Sequence, residues 1–176
     1  MPRCLVLSLL LLHAASASAC WTQSGQQHQV APQLLYAVAQ VESGGNPRLV
    51  HHNRGPGAGT RDIGAMQINS DNLPGLRVRG ISEAGLLDLC TNVDVGAGIL
   101  AERIRRYGLS WEAVGAYNAS CTRLKGDACR RARSAYAWRV YRQLQRLGNG
   151  GAASEVIGGP VKAASIPIPL LQVSLP

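Results

Sequence analysis

The sequence predicts a mostly α-helical domain stapled by disulfides, and three observations carry that prediction. Apolar residues recur at the helical period in several segments bounded by caps or breakers. Cysteines come to an even number once an N-terminal export segment is set aside. The chain is 176 residues long, 46% hydrophobic and 16% charged, which is one domain's worth of core-forming sequence and far from the composition of a disordered chain. Its 20 glycines and nine prolines follow no repeat, so fibres and solenoids are excluded.

Taken in order, Met1-Pro2-Arg3 is a short basic start, Cys4 to Leu12 an apolar run, and Ala14 to Ala19 a small-residue stretch ending in Ala17-Ser18-Ala19. The run is too short to cross a bilayer, and the pattern is a secretory signal peptide over residues 1–19, cleaved after Ala19. An uncleaved anchor and a lipoprotein acylated at Cys20 are the alternatives; against the second, position 17 is Ala where such signals carry Leu. Loss of Arg3 takes the formal charge of +8 down by one and leaves Cys20, Cys90, Cys121 and Cys129 from the five cysteines. No C-x-x-C pair exists and the spacing matches no common zinc pattern, so structural disulfides are expected rather than a metal site. Three pairings are open; the local one, Cys121 with Cys129, leaves Cys20 for Cys90.

A short helix is expected over 22–29. Pro32 suits a first helical position, Leu34, Leu35, Val38 and Val41 share a stripe, and Gly44-Gly45-Asn46-Pro47 ends that helix after Ser43. Residues 44–62 are rich in Gly and Pro and read as a long irregular surface loop. Thr91 or Asn92 is the expected cap of a helix running to Tyr107, with Val95, Ile99, Leu100 and Ile104 inward, Arg103, Arg105 and Arg106 outward, and Gly108 as its stop. Ser110 caps the next helix, 111–119, with Glu112 at its positive end. The last helix spans 129–147. Beyond it, residues 148–176 turn to Ala, Ser, Gly and Pro and are expected to form a flexible tail. The apolar stretch 166–175 contains two prolines and cannot be a transmembrane helix.

Glu42 is the candidate for chemistry. It lies four and eight residues after Val38 and Leu34, on the stripe that faces the core, and at the negative end of a helix dipole. Both conditions disfavour its charged form and favour a raised pKa. A carboxylic acid still protonated near neutrality is what general-acid cleavage of a glycosidic bond requires. On the stripe alone, pairing with an arginine explains the residue equally well.

The surrounding segments add more. Val41-Glu42-Ser43-Gly44-Gly45-Asn46-Pro47, Gly64-Ala65-Met66-Gln67-Ile68-Asn69 and Ala116-Tyr117-Asn118-Ala119, with Asn92-Val93-Asp94-Val95-Gly96, resemble in order and spacing the signatures of the lytic transglycosylase (SLT) domain. The Cys20-Trp21 start resembles the small secretion- and conjugation-associated branch of that family, and the resemblance covers 20–147. It implies a mostly α, lysozyme-like domain with a small irregular or β-hairpin loop region. It also implies cleavage of the β-1,4 bond between N-acetylmuramic acid and N-acetylglucosamine in peptidoglycan, leaving a 1,6-anhydro end. Glu42 would be the single catalytic acid and then the base on the C6 hydroxyl. Ser43 would help orient it, Gln67 and Asn69 would line the sugar-binding floor above Met66, Tyr117 would bond near Glu42, and Asn118 would touch the substrate.

One carboxylate suffices if the C6 hydroxyl is the internal nucleophile; Asp62 or Asp71 would permit hydrolysis with water if either reached the opposite sugar face. No cofactor and no metal are expected: His51-His52 beside Asp62 read as solvated imidazoles. Arg130, Arg131, Arg133, Arg139, Arg142 and Arg146, interleaved with Tyr136, Trp138 and Tyr141, make the last helix a solvated basic face. Attraction to an anionic wall is the second reading and nucleic acid the least favoured, since the chain is exported. The expected partners are therefore peptidoglycan glycan strands and a cell-envelope secretion, conjugation or pilus complex, in the periplasm.

Overall fold

A computed structural model describes residues 19–149. The signal peptide and tail expected from the sequence lie outside the described residues, apart from Ala19, Gly148 and Asn149. Six helices and a small sheet make up the rest: α1 (19–28), α2 (Pro32–Ser43), β1 (Val50–His52), β2 (Arg61–Ile63), β3 (Ile68–Asn69), α3 (Leu73–Val78), α4 (Leu89–Tyr107), α5 (Trp111–Asn118) and α6 (Gly126–Asn149). No helix among the described residues is long and apolar enough to cross a membrane.

The α2 helix is the hub. Pro32 opens it, and Gly44 closes it in the left-handed conformation at φ 67°. Leu34, Leu35, Ala37, Val38 and Ala39 are all buried, a face wide enough to meet α6 along one side and α4 along another. α5 is sandwiched between α4 and α6. Side chains of α1 tie it to this bundle. Trp21 packs edge-on against Tyr36 at 5.4 Å, and His28 Nε2 lies 2.7 Å from Asp94 Oδ1 on α4. Of the three pairings open to the cysteines, the local one is realised: Cys121 joins Cys129, and Cys20 joins Cys90, fastening α1 to the first turn of α4.

The small β region that the resemblance implies is an antiparallel sheet in the order β1-β2-β3, which begins inside the Gly- and Pro-rich stretch 44–62 and ends just beyond it, with Val50 opposite Ile63 and Ile63 opposite Ile68. Its strands are only two or three residues long, too short to display a period of two in sequence. Ile63 and Ile68 anchor it, each at 0–1% exposure.

Two other expectations are corrected. α4 starts at Leu89 and is capped by Asp88, whose carboxylate accepts the Thr91 N–H at 2.9 Å; that bond and one from the Thr91 hydroxyl hold Asp88 below its usual range. Asn92, expected as a cap, is instead fully buried. Arg133 and Tyr136, assigned from sequence to a solvated basic face, are core residues at 6% and 1% exposure. Arg133 is held by Glu112 Oε1 at 2.5 Å, the Ala119 carbonyl at 2.9 Å and the Tyr107 hydroxyl at 3.1 Å, and its guanidinium lies over the Tyr107 ring. Burial is tolerated because these acceptors satisfy the charge. Ser110 caps α5 as expected, accepting from Ala113 N.

Candidate active site

Glu42 sits in the last turn of α2, on the wall of a recess of about 390 Å³ between the sheet and the helices. Burial is the main cause of a pKa raised from 4.5 to about 7. A hydrogen bond from Tyr136 pulls it back, the charge of Asp62 pushes it further up, and Arg139 lowers it. The Tyr136 hydroxyl donates to Glu42 Oε1 at 2.5 Å. Burial, and after it the neighbouring Glu42 charge, pushes both the Tyr136 and Tyr117 hydroxyls well above the ordinary phenol value, so both stay protonated donors.

The other predicted residues are brought to the same recess, with roles that differ in detail. Tyr117 does not bond Glu42; its hydroxyl donates to the Met66 carbonyl at 2.9 Å, and its ring stacks on Tyr136 at 6.5 Å. Ser43 Oγ lies 2.6 Å from the Ala65 carbonyl and 3.3 Å from that of Ala39, locking the last turn of α2 to the segment 64–67. Gln67 takes a left-handed φ of 50°, and its amide donates to the Gly64 and Leu49 carbonyls while it lines the recess. Asn69 donates to Asp62 Oδ1 at 2.7 Å and accepts from Asp71 N at 2.9 Å. Asn118 is exposed on the recess wall.

The segment 64–67 is braced from beneath. Asn92 Oδ1 accepts the Met66 N–H at 2.7 Å, and its amide donates at 2.9 Å to the carbonyls of Ile63 and Leu86. Gly64 is required twice over, because its φ is 78° and a Cβ there would lie 2.3 Å from Asn92 Nδ2. Gly96 on α4 leaves room for the Met66 sulfur, which a Cβ would approach to 2.5 Å.

Sequence reasoning missed Tyr136 and Arg103. The available signal for Tyr136 was helical spacing: Arg133, Tyr136, Ala137 and Val140 fall at i, i+3, i+4 and i+7 and form the buried face of α6. Arg103, read as outward, is half-buried and lines the recess. Four carboxylates, Glu42, Asp62, Asp71 and Glu102, line it too, so the cleft of this basic protein is acidic. A second recess of about 670 Å³ continues from the first through Asn69, Asp71, Asn118 and Ser120 and ends against the Cys121–Cys129 loop.

A long groove between a helical bundle and a small sheet, with one carboxyl of raised pKa at its wall, defines a lysozyme-like glycan-cleaving enzyme. Residues 19–138 match the Transglycosylase SLT domain, and the chain belongs to that family of lytic transglycosylases. It is 43% identical over 147 residues to Invasion protein IagB of Salmonella typhi, covering 81% of this chain and 87% of that protein. It is 36% identical over 143 residues to Protein IpgF of Shigella flexneri, covering 81% and 89%. It is 37% identical over 119 residues to a peptidoglycan-binding-like protein of Escherichia coli O157:H7, covering 64% and 71%.

Proposed function

We propose that the protein cleaves the β-1,4 bond between N-acetylmuramic acid and N-acetylglucosamine with formation of 1,6-anhydro-N-acetylmuramic acid, and that Glu42 is both acid and base. The observation that carries this reading is the half-buried carboxyl at the groove wall with its pKa at about 7. The protonated Glu42 gives its proton to the glycosidic oxygen, and the C1–O4 bond breaks with the electron pair leaving on that oxygen. The C6 hydroxyl of the same muramic acid then bonds to C1, and its proton returns to the Glu42 carboxylate, regenerating the acid. Because the nucleophile is part of the substrate, attack is effectively unimolecular and needs no second carboxylate. Tyr136, donating to the carboxylate, stabilises the ion formed midway.

Ser43 would hold Glu42 indirectly, through the α2 terminus and the Ala65 carbonyl. Gln67, Asn69 and Asn118 would present amide and carbonyl groups to the sugars, and Tyr117 would support the floor through Met66. The acidic groove would repel a polyanion such as nucleic acid and suits a glycan. Relatives named as an invasion protein support a periplasmic enzyme that opens the wall locally for a secretion, conjugation or pilus apparatus.

Mass analysis of digested sacculi tests the reading. Anhydro-muramic ends are expected, and activity should fall as pH rises through about 7. Purely reducing ends would make the enzyme a lysozyme-type hydrolase, a reading that the carboxylates of Asp62 and Asp71 in the same recess would then explain. Undiminished digestion by Glu42→Gln would remove the acid role from Glu42, and no digestion by the wild type would leave only a binding or assembly role.

A further inference from the structure

We propose that Arg139 is a positioning residue that sets the strength of the Tyr136 hydrogen bond to Glu42 and thereby the pH range in which the enzyme works. The inference rests on Glu42 being the acid. The guanidinium carbon of Arg139 stands 5.1 Å from the centroid of the Tyr136 ring, and the hydroxyl of that ring donates to Glu42 Oε1 at 2.5 Å. Cation, ring and carboxyl therefore stand in series. A cation against an aromatic face draws electron density from the ring, and a phenol so depleted is a better donor. A better donor favours the ionised form of its acceptor.

The placement suits the task. Arg139 follows Tyr136 by three residues on α6, so the two side chains are neighbours on the helix surface while one is buried and the other opens to solvent. The groups facing Glu42 from the surrounding elements are Asp62 on β2, Tyr117 on α5, and Tyr136 with Arg139 on α6, and Asp71 with Glu102 and Arg103 of α4 line the same recess. Asp62 favours the protonated acid; Tyr117 and Tyr136 are neutral. Arg139 supplies the opposing positive charge, so the proton affinity of the acid is set by a balance across the groove. The balance matters because one carboxyl must give a proton and take one back in each turnover. Without Arg139 the acid would hold its proton too tightly for the first step and be a stronger base in the second.

The test uses the mature enzyme with Glu42 followed by carbon NMR of its carboxyl, alongside the pH profile of sacculus digestion. In Arg139→Gln, the Glu42 titration and the alkaline limb of activity should both move up by about half a pH unit. Arg139→Lys should restore part of the shift, since an ammonium is a poorer stacking cation. In a Tyr136→Phe background, Arg139→Gln should move the titration by much less. An unmoved titration in folded Arg139→Gln, or an equal shift with and without the Tyr136 hydroxyl, would overturn the proposal. Failure of the acid assignment would show separately, as full activity in Glu42→Gln, while the titration would still report on Arg139.

Discussion

Replacing Glu42 by glutamine should stabilise the protein at pH 8 while leaving its stability at pH 4 nearly unchanged. Glutamine keeps the shape of the side chain and an oxygen that can accept from Tyr136, so the substitution removes charge more than packing. In the folded protein the carboxyl titrates near 7, against 4.5 when unperturbed. Below 4.5 both the folded and the unfolded chain hold the proton, and burial costs nothing electrostatic. Between 4.5 and 7 the folded chain keeps a proton that the unfolded chain has lost, so the native state binds more protons and stability falls as pH rises. Above 7 the carboxylate is ionised in both states, and the whole interval counts against folding.

At about 1.4 kcal/mol per pH unit that interval is worth about 3.5 kcal/mol, reduced to between about 2 and 3 by the open side of the groove. Urea denaturation of both proteins at pH 4, 6 and 8, with disulfides intact, measures the difference directly. The variant should gain about 2 to 3 kcal/mol relative to wild type between the first and last pH. Parallel stability curves would refute the argument that Glu42 is a buried, strained acid. The same substitution should reduce sacculus digestion by about a hundredfold or more, the usual contribution of a general acid. Stability gained where activity is lost would be the mark of a functional site.

Other perturbations test the supports of the site. Asn92→Ala leaves the Met66 N–H and the carbonyls of Ile63 and Leu86 without their partner, and should cost about 3 to 5 kcal/mol in urea denaturation. A cost below about 1 kcal/mol would mean that water replaces the side chain. Gly64→Ala demands a left-handed alanine and displaces Asn92, so a loss of about 3 kcal/mol in thermal unfolding is expected, with weaker digestion at temperatures where the variant is folded. Arg133→Ala leaves the buried Ala119 carbonyl without its donor and should cost about 2 kcal/mol, Glu112 being exposed enough to be hydrated; a neutral result would show that the arginine is not coupled to the fold. Converting Cys121 and Cys129 together to serine should cost about 2.5 kcal/mol, because the closed loop is short, whereas loss of the Cys20–Cys90 bridge should cost about 4.5. The first change should also raise KM for long glycan strands more than for short oligosaccharides, since that loop walls the second recess; equal effects on both would remove the loop from substrate binding.

Much of the fold was legible because its determinants are local. Pro32 and Gly44 bracket α2, and Ser110 caps α5, through groups within one helical turn of the backbone they serve. The prominence of Glu42 followed from the same periodicity, as a carboxylate on an apolar stripe. The α4 cap was misplaced by a few residues because Asp88, Thr91 and Asn92 are all good capping residues, and what decided among them was the space beneath Met66 that only Asn92 fills. The sheet was legible only through the family resemblance, because strands this short have no pattern of their own and their pairing rests on Ile63 and Ile68 reaching the core together.

What the sequence alone determined is every helix but the short α3, the cysteines available to pair and the one acid worth suspecting, since helical period and capping act over three or four residues. The tertiary structure decided which tyrosine serves that acid. The resemblance pointed to Tyr117, yet Tyr136, 94 residues from Glu42, is the one that meets it, because α2 packs against α6. It also divided the arginines, sending Arg133 into the core, Arg103 to the groove and Arg139 to the ring of Tyr136. Such assignments depend on which faces of distant helices meet, and the free energy that selects them is spread over the whole core rather than written at any one position.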